Sequence, residues 1–264
     1  MIGTVLYLAD ESGPPVYVAS VAGADAALGL EGTHVNHDVP IENGREDGPF
    51  HIDVHGFELR TIPSVVADYF DDDEIETTYR TEVEALVKQA TGAARAHMFD
   101  HTRRGDSVAL RDTKTMREPS TVIHCDYTER SGPQRVRDIM GDEANALLQN
   151  RFAIVNVWRP LLHPAQTSLL ALCDARSHAP QDLVATERVA ADRIGEIYLA
   201  HFNKNHRWVC FPNMTPDEAL LIKTFDSAVD GRARLTLHTA FDNPDAPIDA
   251  KPRESIEARC FAFF

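Results

Sequence analysis

The chain has no closely spaced pair of cysteines. Its four, Cys125, Cys173, Cys210 and Cys260, sit singly inside apolar segments. That argues against a structural zinc or a disulfide framework and for buried, reduced thiols in a cytoplasmic protein. Long apolar runs are missing too, so no segment reads as a membrane span and no membrane partner is expected. Residues 1–10 lack a basic stretch ahead of their apolar positions and read as a strand, not a leader peptide. Positive charge is scarce: 26 basic residues against 41 acidic ones give a formal net charge of −15. Nucleic acid is therefore excluded as an expected partner, because its recognition rests on a basic footprint. Neither an internal repeat nor a low-complexity tract occurs.

The 264 residues are 43% hydrophobic and 25% charged, enough for one well-filled core. A single domain over 1–264 is expected, with residues 1–90 as an extension of strands and a helix packing on the remainder. Turn-forming stretches lie at 11–15, 38–49, 129–133 and 242–252. Three helices are expected. One spans 73–89, with Ile75, Tyr79, Val83, Leu86 and Val87 on one side at a period near 3.6 and acids at its start. A second spans 133–149, where Val136, Ile139, Met140, Ala144, Leu147 and Leu148 form the stripe. The third begins at Thr215-Pro216-Asp217-Glu218, a capping Thr followed by Pro and acids, and runs to about Phe225. Strands are expected at 94–99, 120–127, 152–158, 168–174, 183–190, 194–202, 208–211, 234–241 and 255–264, with a hairpin loop at 203–206. The fold class is thus α+β: a double-sheet jelly roll with flanking helices, an architecture able to hold a cofactor between its sheets.

Chemistry concentrates in the second half. In the strand around His124-Cys125-Asp126, alternation points His124 and Asp126 one way and Cys125 the other. With His238 from another strand, two imidazoles and a carboxylate make three corners of a mononuclear iron(II) site with open positions. Such a site takes dioxygen and, if its co-substrate is a dicarboxylate such as 2-oxoglutarate, needs a trailing arginine. Arg253-Glu-Ser-Ile-Glu-Ala-Arg259 supplies two. A guanidinium matches a carboxylate as a planar fork, and Arg253, Ser255, Glu257 and Arg259 share a face. The competing reading is a surface strand with paired charges. Asn156 and Trp158 share one face of their strand, and Val157 and Arg159 the other. A buried Asn or Arg there needs a partner, which is co-substrate, substrate or neighbouring backbone. A second His-x-Asp, His51-Ile52-Asp53, is followed by no matching arginine pattern.

These residues resemble the family that contains the hydroxylase component of the cephalosporin 7-alpha-methoxylase and fungal gibberellin-desaturase-like hydroxylase/desaturases. The matching stretches include His55-Gly-Phe-Glu-Leu59, Phe99-Asp-His-Thr-Arg103, Val122-Ile-His-Cys-Asp-Tyr-Thr128, Asn156-Val-Trp-Arg-Pro-Leu161, His206-Arg-Trp208, His238-Thr-Ala-Phe241 and Pro252 to Arg259. They run in order from about residue 50 to the end; the first 50 residues have no match. The resemblance implies a double-stranded β-helix, iron(II) on His124, Asp126 and His238, and 2-oxoglutarate as co-substrate. It leaves the His51/Asp53 pair a structural role. The arginine spacing is similar to that of nucleic-acid demethylating dioxygenases, which implies Arg253 at the distal carboxylate and Arg259 as a second anchor.

The expected activity is hydroxylation, desaturation or cyclisation of a small natural-product or amino-acid-like substrate. Its candidate contacts are Arg159, Trp158, His101, Arg103, Arg117 and Tyr127, with Asn156 and Ser255 joining the co-substrate. Residues 104–119 are polar and aperiodic, a candidate lid or a plain surface loop. The alternative is a non-catalytic jelly-roll subunit that binds a metabolite or supports a methyltransferase. A homo-oligomer is compatible with either.

Overall fold

The computed structural model describes residues 1–13, 15–24, 26–191 and 193–264. Among the described residues, fifteen strands form two sheets. The larger runs β1 (Ile2–Leu8), β4 (His34–Asn43), β12 (Trp208–Cys210), β9 (Leu169–Cys173), β14 (His238–Phe241), β7 (His124–Cys125), β11 (Ile194–Ala200), β10 (Leu183–Val189), β2 (Val16–Val18) and β3 (Gly29–Glu31). The smaller runs β5 (Phe57–Thr61), β13 (Glu218–Asp226), β8 (Phe152–Pro160), β15 (Glu254–Phe263) and β6 (Arg95–Gly105). Most pairs are antiparallel; β10 with β2 and β12 with β4 are parallel.

The sheets close on each other through a shared core. Ile41, Leu172 and Trp208 of the large sheet meet Trp158, Leu220 and Ile222 of the small one. The small sheet is also covered on its outer face, where Val155, Val157, Leu221 and Cys260 pack on Val83, Leu86 and Val87 of helix Arg80–Thr91. At its end, helix Ser131–Met140 covers Phe152, Phe225 and Phe261. The result is the expected jelly roll with flanking helices, a double-stranded β-helix core.

Burial on both faces explains the largest departure from expectation. Residues 218–226 form strand β13, not a helix. The Thr215 start signal does close a turn: the Glu218 amide donates to the Thr215 carbonyl at 3.0 Å, and the Glu218 carboxylate accepts from the Thr215 amide at 2.9 Å. Beyond it all nine residues are buried. Leu220 and Ile222 enter the inter-sheet core while Ala219 and Leu221 enter the helix-backed one. A run that is apolar on both faces does not announce its period.

Other differences are smaller. The first helical region holds a wider π turn at Ile75–Tyr79 before Arg80–Thr91. The second breaks at Gly141, with a short 3-10 turn and then Ala144–Leu147. The strand expected at 120–127 shrinks to His124–Cys125, and that at 234–241 to His238–Phe241. Residues 38–43, expected as loop, continue β4; Pro40 lies one residue before the stretch that β12 pairs, so that neighbour asks no N–H of it. Residues 203–206 do not join a hairpin, because β11 and β12 are not neighbours. Asn203 and His206 instead tie this crossing to the Asp182 carboxylate. Residues 104–119 contain a short helix, Val108–Lys114. The turn expected at 11–15 includes Pro14, which lies outside the described residues. No described helix is long and apolar enough to cross a membrane.

Leu221→Ala leaves a void between β13 and helix Arg80–Thr91. It is expected to cost ~2–5 kcal/mol, read as a lower denaturation midpoint at unchanged slope in a urea titration.

Candidate metal centre and co-substrate pocket

His124 of β7 and His238 of β14 pair directly across the large sheet, with ring centroids 4.5 Å apart. Asp126 follows β7 by one residue. Potential ligand atoms of the three lie within 4.8 Å of one another, the one such group among the described residues. The Nδ1 of His124 reaches the Val122 carbonyl at 2.8 Å and that of His238 the Thr236 carbonyl at 3.1 Å. A carbonyl only accepts, so each Nδ1 carries the proton and each Nε2 presents its lone pair inward. This is how a protein fixes the tautomer of a metal-binding histidine. Burial and the neighbouring His238 hold the His124 imidazole below its ordinary pKa, which favours the neutral, ligating form.

Asp126 is held from the other sheet. Its Oδ2 accepts from Asn156 Nδ2 at 2.8 Å and from Arg259 Nε at 2.9 Å, while Oδ1 lies 3.6 Å from His124 Nε2. One oxygen is thus anchored and the other turned to the histidines. Burial alone would raise this carboxyl's pKa, but Arg259 and the two histidines outweigh it and keep it ionised. Two neutral imidazoles and one carboxylate with open positions are the donor set that suits non-haem iron(II); the residues fit the ion. Cys125 turns away and donates to the Thr224 carbonyl.

Gly56 supports this corner. It holds φ +88°, and a Cβ there would fall 2.1 Å from Thr236 Oγ1. Thr236 Oγ1 donates to the Gly56 carbonyl at 2.8 Å, fixing the backbone whose carbonyl orients His238.

A small cavity joins the histidines to Arg253, with Trp158, Leu170, Arg104 and Glu257 in its wall. Arg253 is 3% exposed; its Nη1 donates to the Ser168 carbonyl and its ion lies over the Trp158 ring at 5.6 Å. Its Nε and the hydroxyl of Ser255 are buried without a hydrogen-bond partner. Unpaired buried polar groups are costly, and two of them along one strand face beside the histidines suit a dicarboxylate. Arg259 differs. Its nitrogens are committed to Asp126, Asp100 and Thr102, with Glu257 at 3.5 Å, so it positions Asp126. Asn156 does the same, bridging Asp126 and Glu257.

The remaining candidates separate. Arg117 and Tyr127 line a second, larger cavity that Asp126 also borders. Trp158 faces the small one. Arg159 lies on the outer face of β8, 2% exposed, bonded to the Pro216 and Ile62 carbonyls, away from the triad. Arg103 binds the Tyr69 carbonyl and Asp72. His101 borders the larger cavity, but alternation along β6 turns its ring to Arg103 and Asp72. The residue that points inward is Arg104, opposite Ser255, which sequence reading passed over. A register shift in β6 opposite Arg259/Cys260 obscures which arginine faces in, and a slip of one residue exchanges the faces. The second His-x-Asp is structural: Asp53 pairs with Lys223 and Arg232.

An open His–Asp–His face inside a double-stranded β-helix defines the class of mononuclear non-haem iron oxygenases. A family model described as "Oxidoreductase/YMDC permease-like domain" matches residues 5–263. The chain is 33% identical over 236 residues to the Fe(II)/2-oxoglutarate-dependent dioxygenase nvfI of Aspergillus novofumigatus, covering 86% of this chain and 83% of that one. It is 34% identical over 247 residues to the hydroxylase/desaturase CTB9 of Cercospora beticola, covering 84% and 74%. The solved structure of the iron and alpha-ketoglutarate-dependent endoperoxidase NvfI superposes with a TM-score of 0.87 at 26% identity, over 100% of this chain and 97% of that one. The chain belongs to this oxidoreductase family, together with fungal iron(II)/2-oxoglutarate-dependent dioxygenases and hydroxylase/desaturases.

Asn156→Ala removes one of the two donors that fix Asp126. Affinity for iron(II), read by anaerobic calorimetry, is expected to fall by about 10–100-fold with the circular dichroism spectrum unchanged.

Proposed function

We propose that this protein is an iron(II)- and 2-oxoglutarate-dependent oxygenase that hydroxylates, desaturates or cyclises a small natural-product or amino-acid-like substrate. In this reading His124, Asp126 and His238 hold the iron. Arg253, with Ser255, receives the far carboxylate of 2-oxoglutarate, and Arg104 adds charge to the same pocket. Bound iron, with co-substrate and dioxygen, supplies the oxidising power to break an unactivated C–H bond. The residues position and exclude. Asn156 and Arg259 keep Asp126 ionised and aimed, the Val122 and Thr236 carbonyls hold both imidazoles in the Nδ1–H tautomer with Nε2 free, and Trp158 and Leu170 wall out water. The observation that carries the assignment is the pair of partnerless buried atoms, Arg253 Nε and Ser255 Oγ, on the strand face that leads from the histidine cavity.

Membership of the group containing the cephalosporin methoxylase hydroxylase component is supported by the ordered motif set from His55 to Arg259. One oxygenase domain over 1–264, with 1–90 as an extension, is supported by β1 and β4 continuing the sheet that carries both histidines. A cytoplasmic location is supported by four buried, free thiols.

The test is an anaerobic titration with iron(II) and then 2-oxoglutarate, followed by visible absorption. A weak charge-transfer band that requires both additions is expected. His238→Ala should abolish it, and Arg253→Ala should shift its half-saturation to at least about tenfold higher 2-oxoglutarate, the loss of one charge-assisted fork. No band in the wild type, with no tight iron binding, sinks the proposal.

A further inference from the structure

The larger cavity, about 200 Å³, has a charge at odds with the chain around it. Acids outnumber bases overall, yet among the described residues five of the 21 arginines, Arg117, Arg135, Arg188, Arg193 and Arg259, line this one space against two aspartates, Asp100 and Asp126. They converge from five places: the chain before β7, helix Ser131–Met140, β10, the residue before β11, and β15. Asp100 neutralises part of the set, pairing with Arg135 at 3.3 Å and Arg259 at 3.0 Å, and Asp126 is taken by Arg259 and the metal corner. Among the described residues, no carboxylate is in ion-pair distance of Arg117 or Arg188. Arg117 is instead crowded by Arg104, Arg188 and Arg259, and burial together with these like charges holds it below its ordinary pKa. Cations that outnumber the described carboxylates around them in a half-enclosed space are unfavourable by themselves and attract an oxyanion strongly.

We infer that the substrate carries a carboxylate or equivalent oxyanion, seated on Arg117 and Arg188 in this cavity, which Asp126 also borders. The inference rests on the oxygenase reading, since it makes this space the approach to the metal. The space amounts to roughly seven water volumes, so a small acid fills it, with Asp126 on its border. The co-substrate pocket is separate, beyond the triad on the Arg253 side, and the two anions do not compete.

The experiment titrates metal-free, full-length protein calorimetrically with propane-1,2,3-tricarboxylate and, separately, with sulfate. Binding of either at 1:1 is expected, the first alone pointing to carboxylates and the second alone to sulfate or phosphate esters. Arg117→Gln/Arg188→Gln should weaken it roughly tenfold or more, while Arg253→Gln leaves it unchanged. Arg188→Gln alone, at a partly exposed position, gives the same direction if the double variant is unstable. In parallel, the iron–2-oxoglutarate band should survive in Arg117→Gln/Arg188→Gln. No anion binding in the wild type, or equal binding in both proteins, or loss in Arg253→Gln instead, overturns the inference. Absence of the band with anion binding intact overturns the oxygenase reading and leaves the anion site standing.

Discussion

The Asp126 carboxylate joins the two sheets at the point where the chemistry sits. It belongs to the chain leaving β7 of the large sheet, and its Oδ2 is bonded to Asn156 and Arg259 of the small one. A carboxylate withdrawn from water costs several kcal/mol unless its lone pairs are taken up. Here one oxygen satisfies the small sheet, and the other is left for a cation between the histidines. Hydrogen-bond length then sets how far β7 stands from β8 and β15. The apolar packing of helix Arg80–Thr91 behind those strands holds Asn156 and Arg259 rigid. Core, sheet spacing and ligand geometry therefore depend on one group.

The same carboxylate divides the interior. On one side lies the small cavity with both histidines, Trp158 and Arg253; on the other lies the larger, arginine-lined space. Arg104 and Arg117 are bridged to each other where the strands meet, and Arg104 faces the first space while Arg117 faces the second.

Much of the site was legible because strands have a period of two. His124 and Asp126 had to share a side, as did Arg253, Ser255, Glu257 and Arg259, and Asn156 with Trp158. What was not legible depends on the partner strand. Nothing in the local sequence tells that Arg259 spends its nitrogens on Asp126 and Asp100, whereas Arg253 keeps one free. The shift in β6 hid Arg104 behind Arg103, and Arg159 reads as a site residue only until the outer face of β8 is seen to be buried. The helix expected at 215–225 failed for a related reason. Its cap was real, but residues buried on two faces carry no period to follow. β4 was not expected at all, and its second half was read as loop because Pro40 looks like punctuation unless the neighbouring strand is known to start one residue later.

The four cysteines have a bearing on durability. Cys125 stands between two ligand residues in the chain, yet its thiol turns to the Thr224 carbonyl and burial pushes its pKa up to about 12. Cys173 and Cys210 are likewise pushed to about 12, and Cys260 is raised as well. Peroxide and disulfides react with thiolate, not thiol. An oxidant released in the interior therefore finds no ready thiolate among the four cysteines. All four thiols are free and buried, which disfavours cross-linking through them.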